Sequence, residues 1–262
     1  MSVIPLRDIG GVLERRGDIS PYLVHLTKDS ADGAHPAKDV LEEIIRERQL
    51  WPGRTEVSAV KYGGYTADMD MGERRRFFGA ICFTETPLDQ LQAMIQIQGA
   101  GIRLSRYGLV FSNASLARKN VQPVCYLNNE LGNKDLAVRT LFGLISSAPD
   151  VAEELLPLFE VFGQKIEGSH MHQRPQGHVN FRWEREWRRP AKYEQMVLGR
   201  KDILMGLCPE TECRYFADLA NESLGFSGND VIDFIDPLQS TAFNAHTITI
   251  ARERLQRLAA TT

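Results

Sequence analysis

No apolar run in the chain comes near the ~20 residues that a bilayer-crossing helix needs. The opening Met1-Ser2-Val3-Ile4-Pro5-Leu6-Arg7-Asp8 has neither the basic start nor the apolar stretch of a secretory signal. A cytoplasmic protein with no membrane contact is expected. Cysteine is scarce: Cys82, Cys125, Cys208 and Cys213 are scattered through 262 residues, too few and too dispersed for a disulfide framework. Charge of one sign is also lacking, since the net charge of −3 provides no global field to gather nucleic acid. A glycine-rich dinucleotide fingerprint is absent as well, which argues against a Rossmann dehydrogenase. The chain has no internal repeat, low-complexity linker or evident boundary, so residues 1–262 read as a single domain.

What is present is an ordinary globular composition, 43% hydrophobic and 25% charged, with ample length for a core. Pro21 to Thr27 reads as an apolar strand, and Ala37 to Gln49 repeats Val40, Leu41, Ile44 and Ile45 at helical spacing until Trp51-Pro52-Gly53 stops it. Residues 54 to 77 lose all periodicity and read as a long loop or lid. Gly79 to Thr84 looks like a buried strand, followed by a helix in which Thr86 caps and Pro87 enters the first turn. Arg106 to Ser112 and Val121 to Leu127 read as strands around a short helix from Asn113. Leu136 to Ile145 and Val151 to Phe162 read as amphipathic helices. Asp202 to Leu207 and Val231 to Ile235 read as strands, Glu212 to Asn221 as a helix, and 248–262 as a helical tail. The mixture suggests an α+β or α/β domain.

The stretch Phe181-Arg182-Trp183-Glu184-Arg185-Glu186-Trp187-Arg188-Arg189 is the most informative. Read as a strand, it places Phe181, Trp183, Arg185 and Trp187 on one face and Arg182, Glu184, Glu186 and Arg188 on the other. Two carboxylates between two guanidinium groups suit chemistry at a cationic transition state. Exposed edge strands also carry charge ladders of this kind.

Three segments then fall in a telling order: Val24-His25-Leu26-Thr27, Ile81-Cys82-Phe83-Thr84-Glu85-Thr86-Pro87-Leu88, and Glu184-Arg185-Glu186-Trp187-Arg188. With Tyr107 to Ser112 and Pro123 to Leu127, this order resembles bacterial proteins of the ADP-ribosyltransferase-like superfamily, notably AbiGi-type abortive-infection proteins and, more distantly, DarT-type toxins. The likeness spans Tyr22 to Pro209 in short islands. It implies a split β-sheet core with a cleft for NAD as co-substrate, and a role in toxicity or anti-phage defence. By the same likeness, His25 and Thr27 would contact the nicotinamide ribose, and one of Tyr62, Tyr65, Phe83 or Tyr107 would stack on nicotinamide. Glu186 would be the catalytic carboxylate, with Glu184 beside it. The chain lacks the Ser-Thr-Ser strand of arginine-modifying toxins, which counts against a protein arginine target.

The chemistry would be loss of nicotinamide from the ribose, leaving an oxocarbenium-like centre. Glu186 would face that cation, Glu184 would act on the attacking acceptor as a general base, and Arg182 and Arg188 would contact pyrophosphate. The acceptor is expected to be nucleic acid, for which Arg74-Arg75-Arg76 and Arg182 to Arg189 supply local positive charge, or protein. Plain NAD hydrolysis is the enzymatic alternative; a non-catalytic antitoxin or sensor, or a protein restrained by an antitoxin partner, is another. The bland readings are plain: a His within an apolar strand is commonly a hydrogen-bonded core residue, and an arginine run is commonly a solvated face. His170, His172 and His178 with Cys208 and Cys213 invite a zinc site, and the His pair suits coordination, but the cysteine spacing is loose, so no metal is expected.

Overall fold

The structure is a computed structural model that describes residues 20–30, 34–53, 62–96, 104–129, 136–164, 178–179, 182–225 and 231–239, with single positions at 249 and 253. Its elements run β1 (Tyr22–Leu26), α1 (Ala37–Glu47), β2 (Gln49–Leu50), α2 (Met71–Phe78), β3 (Ala80–Thr84), α3 (Leu91–Ile95), β4 (Gly108–Ser112) and α4 (Asn113–Ala117). They continue with β5 (Gln122–Pro123), β6 (Cys125–Asn129), α5 (Leu136–Ser147), α6 (Pro149–Leu155), β7 (Phe159–Gln164) and β8 (His178–Val179). The last are β9 (Glu186–Pro190), β10 (Met196–Val197), β11 (Ile203–Leu207), α7 (Cys213–Leu224) and β12 (Phe234–Ile235). Strands and helices are mixed around a seven-stranded sheet of order β12-β11-β4-β1-β3-β9-β5, in which only β11 and β12 pair parallel. This is an α+β arrangement.

The centre of the sheet follows from its sequence. β4 and β11 are buried at every position, which is why Gly-Leu-Val-Phe-Ser and Ile-Leu-Met-Gly-Leu are continuous apolar runs rather than alternations. One face of the sheet presents Leu23, Ile81, Phe83, Leu109 and Phe111 to α1 and α7, through Leu41, Ile44, Ile45, Phe216, Leu219 and Ala220. Burying each of the larger side chains contributes roughly 1.5–3 kcal/mol. The free N–H of Ala37 at the start of α1 donates to Asp29 Oδ1 at 2.9 Å, so a carboxylate eight residues upstream does the work of a cap. The opposite face packs Tyr22, Val24 and Val110 on Leu88, Leu91 and Met94 of the α3 region.

A second sheet, β6-β7-β8, adjoins the first through a bend in a single run of chain. Gln122 and Pro123 pair with β9, Val124 N–H donates to Glu186 O at 2.9 Å, and from Cys125 the chain runs parallel to β7. The strand expected over 121–127 is thus two short strands in different sheets. The helix expected through Phe162 ends earlier: Leu156–Leu158 is a 3₁₀ turn, and Phe159 opens β7.

The 54–77 expectation also changes where it is described. Asp70 accepts from Glu73 N–H at 2.8 Å while Glu73 accepts from Asp70 N–H at 3.1 Å, a capping box that starts α2. Tyr62, Phe77 and Phe78 are buried against Val138, Leu156 and Val161, which anchors both ends of the described 62–78 stretch. Thr86 caps no helix; its N–H donates to Thr84 Oγ1, and the α3 region begins as a 3₁₀ turn at Leu88. Residues 54–61, His170, His172 and all but two residues of the expected tail lie outside the described residues, as do the side chains of Trp183 and His178. No helix among the described residues is long and apolar enough to cross a membrane.

Candidate active site

The segment from Arg182 to Arg189 is not one strand. Arg182–Glu184 forms a 3₁₀ turn, Arg185 takes a left-handed φ of 44°, and the strand starts only at Glu186. The expected alternation of Arg182, Glu184, Glu186 and Arg188 on one face therefore fails at Arg185. The reason is visible in the contacts that hold the turn. Thr84 Oγ1 donates to Glu184 O at 2.5 Å, Glu85 N–H donates to Arg185 O at 3.1 Å, and Arg185 reaches Glu85 at 3.5 Å. Trp187 Nε1 also donates to Glu85, at 3.2 Å.

Arg188 is the fixed point of the site. Its Nε donates to Glu186 Oε1 at 2.9 Å, one terminal nitrogen donates to Glu186 Oε2 at 2.6 Å and Glu160 Oε2 at 2.8 Å, and the other donates to Pro157 O and Phe159 O. All five guanidinium N–H groups are thereby placed. The side chains of Arg188, Glu160 and Glu186 are 3%, 0% and 12% exposed, so of the three Glu186 reaches furthest towards water. Burial alone would favour loss of the Arg188 proton, but the carboxylates of Glu186 and Glu160 override it and hold the group charged. Arg188 thus bridges a carboxylate of β7 and a carboxylate of β9.

Tyr126, on β6, accepts from Glu186 N–H at 3.2 Å. Its phenol is pushed up by burial and by the charges of Glu186 and Glu184, which places both carboxylates within electrostatic reach of one hydroxyl. Glu184 itself lies in the 3₁₀ turn before Arg185, off the strand that carries Glu186 and Arg188. The Cys82 thiol beside Glu186 is also pushed up, by burial first and then by that carboxylate.

The chain matches no family model, no curated protein and no solved structure.

The remaining expected residues separate from this locale. Val24 pairs with Thr84 and Thr84 with Glu186, so these three share a face; His25, one position along, falls on the other with Phe83. The His25 ring lies 5.6 Å from the Phe83 ring, and its Nδ1 donates to Cys82 O at 2.8 Å. Burial favours the neutral imidazole. β1 pairs with β3 at a single position, whereas β1–β4 and β3–β9 each pair at five. The two strands fork, and His25 supplies a side-chain donor to a carbonyl of the diverging strand.

Thr27 is buried, and its hydroxyl is spent on Ala37 O at 2.9 Å and Tyr107 O at 3.2 Å. Tyr62 is buried among Phe78 and Phe142 and donates to Phe159 O, Tyr65 stacks on Phe142, and Phe83 is buried against Phe111. Tyr107 packs on Phe216 with its hydroxyl on Glu212, which helps push it up to about 12, after burial. Three of the four stacking candidates are thus committed to apolar clusters and the fourth to the α7 side of the sheet. Arg182 covers the Phe162 ring at 4.3 Å, and Arg76 pairs with Glu153.

Glu160 and Tyr126 were not singled out from sequence. Glu160 carried a signal: it is the one carboxylate in Leu155-Leu156-Pro157-Leu158-Phe159-Glu160-Val161-Phe162, and a charge amid apolar residues needs a buried partner. Tyr126 carried none. Among the described residues, no group of three His, Cys, Asp or Glu side chains is placed to hold a metal ion.

Proposed function

We propose that the chain is an NAD-consuming ADP-ribosyltransferase of the split-sheet kind, with Glu186 as the carboxylate that faces the reacting ribose. The observation that carries this reading is the Glu186 clamp. Both its oxygens are fixed by Arg188 in one orientation at the junction of two sheets, with Glu160 on the same guanidinium and the Tyr126 hydroxyl on the Glu186 N–H. In this role nicotinamide leaves with the electrons of its bond to the ribose carbon, and the preorganised negative charge stabilises the resulting cation. An acceptor nucleophile then bonds that carbon, and Glu184 takes its proton. Support also comes from the order of the three motifs and from the fork between β1 and β3. The reading does not draw on Thr27, Tyr62 or Phe83, whose atoms are committed elsewhere, nor on His25 as a partner of Glu186 on one face.

A second reading has its own observation. An arginine with every donor satisfied and a fully buried Glu160 behind it is also how a fold joins two sheets, and a non-catalytic antitoxin or sensor would keep that joint. Purified protein is incubated with labelled NAD and, separately, RNA, single-stranded DNA or protein lysate, beside Glu186→Gln. Label transferred to one acceptor class and lost by at least a hundredfold in the folded variant supports transfer and names the class. Free ADP-ribose without labelled polymer assigns hydrolysis. No NAD consumption, or equal consumption by Glu186→Gln, sinks the catalytic reading.

A further inference from the structure

Cys208 and Cys213 were set aside as zinc ligands because their spacing is loose, yet the fold brings their sulfurs to 3.6 Å. Cys208 follows the last residue of β11 and is buried; Cys213 opens α7 and is half-exposed. Pro209 and the 3₁₀ turn Glu210–Glu212 fold the intervening chain back on itself. The Cys208 N–H donates to Ile235 O, and the Cys213 thiol lies 3.6 Å from Pro209 O, so the loop holds the two residues with their sulfurs together. Both remain free thiols here.

We propose that Cys208 and Cys213 are a redox site: a vicinal dithiol that closes to an intrachain disulfide under peroxide and reopens with thiol reductant. Cys213 is the sulfur an oxidant meets first, because it is only partly buried whereas Cys208 has no exposed surface. Hydrogen peroxide transfers one oxygen to the Cys213 sulfur, releasing water and leaving a sulfenic acid. The Cys208 sulfur then displaces hydroxide from that sulfur as the S–S bond forms, and the departing hydroxide leaves as water with the Cys208 proton. In balance, two thiols lose two electrons and two protons, and one peroxide becomes two waters. Burial pushes both thiols up, so closure is slow near neutrality and accelerates as pH rises.

The site lies where a clasp has leverage. Glu212, inside the loop to be closed, accepts from the Tyr107 hydroxyl and pairs with Lys38 of α1 at 3.0 Å. Asp236, after β12, accepts from Glu210 N–H and pairs with Arg106. A bond across this loop ties α1, α7 and the β4–β11–β12 edge of the sheet together.

Trypsin releases both cysteines in one peptide, Asp202 to Arg214. The full-length protein is treated with hydrogen peroxide at pH 7.5 and 8.5, blocked with N-ethylmaleimide and digested. The expected product is that peptide carrying no maleimide, lighter by about 2 Da than the dithiol, more abundant at the higher pH and restored by dithiothreitol. Cys208→Ser is expected to leave Cys213 trapped as a sulfenic acid under a dimedone probe. Full maleimide labelling of both cysteines after oxidation overturns the proposal. So does a disulfide that joins either one to the exposed Cys125 instead, or conversion of Cys213 to sulfinic acid with Cys208 still free.

Discussion

Replacing Arg188 by Met keeps most of the aliphatic stem and removes the guanidinium that Glu160 and Glu186 share. One of them, Glu160, has no exposed surface and cannot recover solvent. Breaking a buried pair from one side costs about 3–5 kcal/mol, because the charge left behind is uncompensated. That is a large part of the roughly 5–15 kcal/mol that stabilises a typical domain. With a urea slope of about 3 kcal/mol/M for a chain of this size, the unfolding midpoint should fall by about 1–2 M. Glu160→Gln removes a charge but keeps an acceptor for Arg188, and should cost about 1.5–3 kcal/mol. Glu186→Gln, at the wetter end, should cost less, so it remains folded enough for the activity test. The triple replacement Glu160→Gln, Arg188→Met, Glu186→Gln should recover much of the Arg188→Met loss, since no buried charge is then left unpaired. Urea melts followed by circular dichroism read all four. An Arg188→Met protein within 1 kcal/mol of the parent, or a triple variant no better than Arg188→Met alone, would refute the account of this joint.

His25 should titrate below its ordinary 6.5, since burial disfavours the cation, and should carry its proton on Nδ1, because Cys82 O can only accept. A folded value below the unfolded one means the stability His25 contributes is present above 6.5 and lost as pH falls through the folded value. Nitrogen chemical shifts of the ring against pH check both statements, and an Nε2-protonated ring or a midpoint above 6.5 contradicts them. Gly206→Ala should cost about 1–3 kcal/mol, because a methyl group there runs into the Phe234 ring laid over β11. Thermal melts measure it, and a neutral substitution would mean that β12 is not seated against β11 as described.

Sequence reading went furthest where one periodicity held throughout an element. The apolar runs at 22–26, 80–84, 108–112 and 203–207 become strands, and the spacing of Leu41, Ile44 and Ile45 becomes the buried face of α1. It failed where chain direction changes within an apolar or charged run. Val121 to Leu127 has no turn residue except Pro123, yet it serves two sheets because Val124 bonds to Glu186 O. Val151 to Phe162 keeps helical spacing past the point at which Pro157 and the pull of a parallel partner convert it to strand. At the site, Glu186 and Arg188 were legible as a pair, since residues two apart on a strand share a face. The third member, Glu160, lies 28 residues away on another sheet. Nothing local announces that contact.

The fate of Glu184 shows how two of the sequence segments meet in space although the strand alternation expected of one of them fails. The middle segment Thr84-Glu85-Thr86 and the late segment Glu184-Arg185-Glu186-Trp187 are about 100 residues apart and interlock at four points: Thr84 with Glu184 O, Glu85 N–H with Arg185 O, and the Glu85 carboxylate with both Arg185 and Trp187. A hydroxyl followed by a carboxylate on one strand therefore holds a left-handed arginine between two glutamates on the other. Positive φ at a residue with a Cβ is unfavourable unless such contacts over-determine it. Here they do, and the result is a bend that carries Glu184 off the strand while leaving it near Tyr126. The two segments are one structural device, bonded to each other at the bend. If Glu186 does chemistry, the strand that aims it is β9, but the part that sets Glu184 beside it is the Thr84–Glu85 end of β3.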